Sequence, residues 1–191
     1  FWKYFFPKAQ RRYPESLGKV QFDDFYFAIN EVTPSFIRVE ADEVTYNLHI
    51  LIRFEIEQAF FSRNLPTKDI PGIWNEKFKS YFGILPPNDA EGCLQDVHWS
   101  IGYIGYFPTY SLGNLYAAQF FNQAKKDLGD LEEQFARGEF SNLKRWLNEK
   151  IHKEGQRYRA EKLVEVVTGK PLSHRPLMDY LKRKYGQIYG V

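Results

Sequence analysis

Apolar positions recur at helical intervals over most of this 191-residue chain. From Val44 onward, Leu48, Leu51 and Ile52, then Ile56 and Ala59, follow one another at steps of three and four. This spacing predicts the longest helical stretch over residues 35–62. Pro34 restricts Thr33 and can open that helix, and the acidic Glu40, Asp42 and Glu43 suit its N-terminal region. Leu65-Pro66 stops the pattern and Pro71-Gly72 turns it. Trp74, Phe78, Tyr81 and Phe82 then predict a short helix between two turns. Upstream, residues 2–13 read as a short helix closed near Pro14, and residues 17–33 as the next segment. Downstream, helices are predicted from about 113 to 136, 139 to 153, 160 to 167 and 173 to 184. Ser173 is placed to cap the last of them, with Pro176 in its first turn.

Residues 83–114 break the pattern. Gly83, Pro86, Pro87, Gly92, Gly102, Gly105, Pro108 and Gly113 punctuate a run that also holds His98, Trp99, Tyr103, Tyr106, Phe107 and Tyr110. No single helix tolerates that composition, so an ordered aromatic loop region with room for a short strand is expected. Dense aromatics on loops are where function tends to sit. The expected fold class is mostly α with an irregular middle, without repeats or low-complexity segments.

Composition adds little to that picture but excludes several classes. Twenty-six basic residues against 24 acidic ones give a net charge of +2, no reason to expect nucleic acid or an anionic membrane as partner. The single Cys93 rules out an intrachain disulfide framework and a four-thiolate zinc site. No run is apolar and long enough to span a membrane as a helix, and a cytoplasmic protein is the default expectation. Seventeen Phe and 13 Tyr are many for this length, enough to fill a core and also line a cleft or partner surface. The length suits one domain or one large lobe. Phe1, Trp2, Tyr4, Phe5 and Phe6 open the chain with neither an initiator Met nor a signal-peptide pattern. They read as a buried segment whose upstream context is missing.

Candidate chemistry is sparse. None of His49, His98, His152 and His174 has a second His within four positions, so the cheapest helical way of placing two zinc ligands is absent. Asp96 and His98 share a face if their segment is extended, and the carboxylate could then orient the imidazole for a structural or substrate-facing role. His49 and Arg53, four apart, read as neighbours on the polar face of the long helix. Arg38, with Glu40, Asp42 and Glu43, is either part of a capping and surface-charge cluster or a buried reader of a carboxylate. Tyr103, Tyr106 and Tyr110 are either a packed aromatic loop or hydroxyl donors to an oxyanion or bound peptide. Lys182-Arg183-Lys184 reads as the solvated end of the last helix.

Two long strings carry more information than any of these. Pro34 to Leu51, PSFIRVEADEVTYNLHIL, is closely followed by Arg53-Phe54-Glu55, and Gly92 to Asn114 reads GCLQDVHWSIGYIGYFPTYSLGN. Together they resemble the IRxEADExTY and GxxQDxHWxxGxxGYFPTYxLGN motifs of the Taq-type zinc carboxypeptidases, in the family's order and at its approximate separation. The opening FWKYFFP looks like the family segment just downstream of the third metal ligand. The stretch from about His152 through GQRYRAEKLVEVVTGKPL to YLKRKYGQIY looks like the family C-terminus. The resemblance thus covers essentially the whole chain, as the last two fifths of a longer parent.

The resemblance implies an elongated, mostly helical body with a deep groove, commonly homodimeric, that hydrolyses peptides from the C-terminus. In the family, the two histidines of HExxH and a downstream Glu hold the metal, and the Glu of HExxH activates water; all of these are expected before residue 1. Residues 1–191 are then the groove portion of the enzyme, with zinc (or cobalt) held by the parent and none expected on this chain alone. By residue, Arg38 matches the arginine for the free C-terminal carboxylate. His98 matches a groove histidine that contacts substrate or intermediate, and Tyr110 the tyrosine that steadies the oxyanion or assists proton transfer. Tyr106 is expected in the cleft wall and Asp96 as the orienter of His98, with Tyr46 and Arg53 as supporting residues. The expected partners are a peptide with a free carboxylate and the missing N-terminal portion or a partner chain. Two other readings are a non-catalytic helical module that binds peptide C-termini, and a structural or chaperone-like helical protein. Retention of Arg38, His98 and Tyr110 in the family pattern argues against the second of these.

Overall fold

The computed structural model describes residues 1–62 and 65–191. In chain order its α-helices are α1 (Trp2–Arg12), α2 (Pro14–Leu17), α3 (Phe22–Ala28), α4 (Tyr46–Ser62), α5 (Ile70–Phe82), α6 (Pro108–Leu128), α7 (Leu131–Ala136), α8 (Ser141–Lys150), α9 (Ala160–Thr168) and α10 (Arg175–Tyr189). Single 3-10 turns occur at Arg38–Glu40, Thr67–Asp69, Trp99–Ile101 and His152–Glu154. Among the described residues there is no strand, and the irregular middle is turns and loop only as far as Phe107, since α6 takes up the rest. None of these helices is long and apolar enough to cross a membrane.

The chain forms two compact units, residues 30–113 and residues 1–29 with 114–191. In the second unit, α1 and α3 meet through aromatic rings: Phe6 stacks on Phe25 at 4.5 Å and Trp2 stands edge-on to Phe25 at 5.1 Å. A separate core joins α6, α7 and α8 through buried Ala124, Leu131 and Trp146. The helix expected over 113–136 begins earlier, at Pro108, and is cut at Gly129, whose φ of 78° ends α6. Asp130 then starts α7 by accepting the Glu133 N–H at 3.0 Å. At the start of α10, Ser173 Oγ accepts the Arg175 N–H at 3.2 Å and Pro176 lies in the first turn.

The 30–113 unit is built on α4 packed against α5. Ile52 and Ile56 from α4, Trp74, Phe78 and Phe82 from α5, and Cys93 from the following loop are all buried together. Pro71-Gly72 does not turn the chain here: it lies inside the first turn of α5, where proline's missing N–H costs nothing. The turn comes at Gly83, in the left-handed region at φ 73°, which closes α5.

The expectation of helix over 35–62 is corrected at its N-terminal end, where α4 starts only at Tyr46. Two sets of hydrogen bonds explain the difference. Gln95 reads the backbone of the upstream segment, its Oε1 accepting the Arg38 N–H at 2.8 Å and its Nε2 donating to the Phe36 carbonyl at 2.9 Å. Those groups are thereby taken from any local helix. Asp42 Oδ1 then accepts the N–H groups of Val44 and Thr45, each at 2.9 Å, and leads the chain into α4.

Phe78 is fully buried between Trp74, Phe82 and Phe36. Phe78→Ala is therefore expected to cost about 3 to 5 kcal/mol, read from the shift in urea midpoint, and Phe78→Leu to cost clearly less.

Candidate functional site

Every residue that the sequence marks as a site candidate lies in the 30–113 unit. Helix α4 supplies the frame. Its apolar stripe of Leu48, Ile52 and Ile56 faces α5, and beside it His49, Arg53 and Glu57 occupy positions i, i+4 and i+8 of one face. All three are buried, with His49 and Arg53 at 0% and 1% exposure. The polar face on which the two were expected as neighbours is thus a buried one. Arg53 and Glu57 meet the loop that carries Asp96 to Phe107, whereas His49 packs against the α5 rings of Phe82 and Phe78 at 4.6 and 5.6 Å.

Asp96 is the centre of the arrangement. Arg38 Nε and Nη2 donate to its Oδ1 at 3.1 and 2.7 Å, with Nε also 3.3 Å from Oδ2. Arg53 Nε donates to Oδ2 at 2.7 Å, and Arg53 Nη2 lies 2.5 Å from the same oxygen at an angle poor for a hydrogen bond. Burial works to raise the Asp96 carboxyl, but the hydrogen bonds and charges of the arginines outweigh it and hold it below the usual carboxylate range. Burial pulls the Arg53 guanidinium down to about 10 against the opposing pull of Asp96, so Arg53 stays cationic at neutral pH. For Arg38, burial is again opposed by Asp96, which prevails and raises the guanidinium above its ordinary value. Within this bonded set two cations share one anion. No ion pair joins Glu57 to either arginine.

Arg38, 6% exposed, is otherwise held by aromatic groups. Its Nη1 donates to the Tyr46 hydroxyl at 3.0 Å, and its guanidinium carbon lies 5.0 Å over the Tyr110 ring and 5.8 Å from that of Phe107. Arg53 lies 4.7 Å over Trp74 and donates through Nη1 to the His49 carbonyl at 2.7 Å.

His98 and Tyr110 form a second pair, with Nε2 and the phenolic oxygen 3.0 Å apart. Phe107 packs on the His98 ring at 4.4 Å, and Tyr106 stacks on it at 5.9 Å while standing edge-on to Tyr110 at 5.5 Å. Asp96 Oδ1 is 4.0 Å from His98 Nδ1, too far for a hydrogen bond, so its contribution to His98 is a field and its direct partners are the two arginines. That field favours the proton on Nδ1, which leaves Nε2 to accept the Tyr110 O–H. Burial, with Arg38 and Arg53 adding to it, pushes the His98 imidazole below its ordinary value. A neutral imidazole is the result at pH 7.

Two residues of the site escaped the sequence reading. Gln95, quoted only as part of a motif, pins residues 36–38 as described above. Glu57 accepts both the Trp99 indole N–H at 2.9 Å and the Gly105 N–H at 3.1 Å on one oxygen. Its signal was the four-residue spacing from His49 and Arg53. Among the described residues, no group of three or more His, Cys, Asp or Glu side chains stands together as a metal site.

His49 offers a direct test of the buried stripe. Burial first, then the charges of Arg53 and Arg38, push its imidazole down to about 4. Between that value and the ordinary 6.5 the unfolded chain binds a proton that the folded chain does not, so stability falls as pH drops through this window. The full effect is on the order of 3 kcal/mol. His49→Leu is expected to flatten the fall in melting temperature between pH 7 and pH 4.5 relative to the unsubstituted chain.

Known proteins share this arrangement of sequence and fold. The family model described as Carboxypeptidase Taq (M32) metallopeptidase matches residues 1–185. Thermostable carboxypeptidase 1 of Thermus thermophilus is 54% identical over 190 residues, covering 100% of this chain and 37% of the relative. Carboxypeptidase 1 of Bacillus subtilis is 48% identical over 189 residues, covering 99% of this chain and 38% of the relative. The crystal structure of a carboxypeptidase from Deinococcus radiodurans superposes with a TM-score of 0.96 at 40% identity, over 100% of this chain and 38% of that one. The chain thus spans about two fifths of the length of the curated relatives it matches. With a family match along nearly its whole length and the same helical fold, this chain belongs to the Taq-type metallocarboxypeptidase family.

Proposed function

We propose that residues 30–113 supply the substrate-reading and transition-state groups of a metal-dependent carboxypeptidase, which releases C-terminal amino acids from peptides. In this reading the chain is the C-terminal, groove-forming portion of that enzyme and is inactive alone. The observation that carries it is the buried pair of guanidinium cations on the single carboxylate of Asp96. An exopeptidase must prefer a terminus to an internal bond, and a fixed guanidinium reads a free carboxylate through paired N–H donors. Asp96 and Tyr46 engage one N–H of Nη2, one of Nη1 and that of Nε, and so leave a donor on each terminal nitrogen of Arg38. Asp96, supported by Arg53, holds the guanidinium plane so that these donors need no reordering when substrate arrives.

Tyr110 and His98 take the second role. The Tyr110 hydroxyl, resting on His98 Nε2, turns its proton toward the oxyanion that forms at the attacked carbonyl. His98, kept neutral by burial and the arginines, holds the resting hydroxyl through Nε2 and adds no third cation beside them. Tyr106, half exposed beside both rings, forms wall against the peptide. The family is one of metallopeptidases, and in the parent the metal is taken to be zinc. Among the described residues no group of three or more His, Cys, Asp or Glu side chains stands together, and every step above is assigned to this chain's own side chains.

The test uses the full-length, metal-loaded enzyme with a blocked dipeptide bearing either a free or an amidated C-terminus. Arg38→Met leaves a neutral Arg53–Asp96 pair and is expected to raise KM for the free acid about thirtyfold or more while removing the preference over the amide. An unchanged preference overturns the assignment of Arg38. Tyr110→Phe is expected to lower kcat by about two to three orders of magnitude with KM little changed. Binding of free-acid peptides without hydrolysis would instead favour a non-catalytic reader of peptide C-termini.

A further inference from the structure

Residues 101–106 are all exposed, with Ile101 and Tyr103 more than half so. Apolar burial therefore does little to hold residues 101–106 themselves, which hang between two anchored ends, Trp99 on the α4–α5 core and buried Phe107. The backbone bonds of this loop are local. The Ile101 N–H reaches the Val97 carbonyl, Gly102 reaches Trp99, and Tyr103 reaches His98, all on the first arm. On the second arm the Thr109 N–H reaches the Tyr106 carbonyl. Glu57 joins the arms. Its Oε1 accepts the indole N–H of Trp99, next to His98, and the backbone N–H of Gly105, next to Tyr106.

We propose that Glu57 is a positioning residue, a buried carboxylate on α4 that ties both arms of this loop and thereby sets the distance between His98 and Tyr110. The proposal rests on the reading of that pair as transition-state groups. Glu57 is 6% exposed, and a charged acceptor out of water makes stronger bonds than a neutral one. Gly105 sits at φ 79°, a conformation that aims its N–H at the carboxylate and that side chains resist even though space around it is open. His98 rides on the first arm through its neighbour Trp99, and Tyr110 lies in the first turn of α6, which the second arm enters. Loss of the tie lets the arms move apart without altering either functional group.

Glu57→Ala and Glu57→Gln are compared in the full-length, metal-loaded enzyme by steady-state kinetics on a free-acid peptide. The same proteins are followed by the NMR resonances of the Trp99 indole, the Gly105 amide and the His98 ring. Glu57→Ala is expected to lower kcat about a hundredfold with KM little changed, because the pair is displaced and not the carboxylate reader. Glu57→Gln keeps an oxygen for the tie but buries an amide nitrogen where Oε2 now lies without a partner, so it recovers part of kcat. In both variants the Trp99 and Gly105 resonances are expected to move together, and the His98 signal with them. An unchanged kcat, or movement of Trp99 and Gly105 with His98 and kcat fixed, overturns the proposal. If Glu57→Ala does not fold, Glu57→Gln decides by the same readouts. Should the unsubstituted enzyme fail to hydrolyse peptides, the functional reading falls, and the His98 resonance in Glu57→Gln still upholds or overturns the tie.

Discussion

The carboxylate of Asp96, shared by Arg38 and Arg53, is the interaction on which the 30–113 unit turns. It joins three segments: the 3-10 turn before α4, the middle of α4, and the loop after α5. Removing three charges from water is costly, and the attraction among them offsets that cost only when geometry and hydrogen bonds are good. Here both oxygens of Asp96 are engaged, and each guanidinium spends further donors on Tyr46 or the His49 carbonyl. Taking one partner from such a set leaves a buried charge uncompensated, which typically costs about 3 to 5 kcal/mol. The arrangement is thus better understood as specifying one conformation than as adding stability.

That conformation has chemical consequences. Arg38 is held on one side by Asp96 and faced by the rings of Tyr46, Phe107 and Tyr110, so its long side chain has lost its rotamer freedom before any ligand arrives. The same positive field, together with burial, keeps His49 and His98 neutral. One device therefore sets both the charge of the guanidiniums and the protonation of the imidazole paired with Tyr110. The neutral pair and the cationic Arg38 are neighbours because Tyr110 belongs to both, through its ring to Arg38 and through its hydroxyl to His98.

Helix α4 makes this possible by burying two stripes at once. Ile52 and Ile56 enter the apolar core with Trp74 and Phe78, while Arg53 and Glu57 run beside them under the loop and His49 packs on Phe78 and Phe82. Arg53 holds Asp96 at one level, and Glu57 holds Trp99 and Gly105 at the next. Contacts of this kind, made by a buried carboxylate to backbone and indole donors, help hold the exposed, glycine-containing residues 101–106 between Trp99 and the buried Phe107.

The helical fold class, α1 and α5, and the family itself were legible in residue spacing and in two motif strings. Those features follow from local periodicity and from residue identity, which a linear sequence carries in full. The start of α4 was not legible, because Gln95 withdraws the Arg38 N–H and the Phe36 carbonyl from helix formation across more than fifty positions of chain. The candidates Arg38, His98, Tyr110, Tyr106, Tyr46, Arg53 and Asp96 were all named by sequence, but their grouping was not. Adjacency along the chain pointed Asp96 at His98, whereas the fold turns its oxygens to Arg38 and Arg53, distant in sequence and stronger in charge. The burial of His49 and Arg53 was not legible, because an i, i+4 polar spacing is the same on a buried face as on an exposed one. Periodicity determines which residues share a face of a helix; only the packing of distant segments onto that face decides whether it meets water, a ring or an opposing charge.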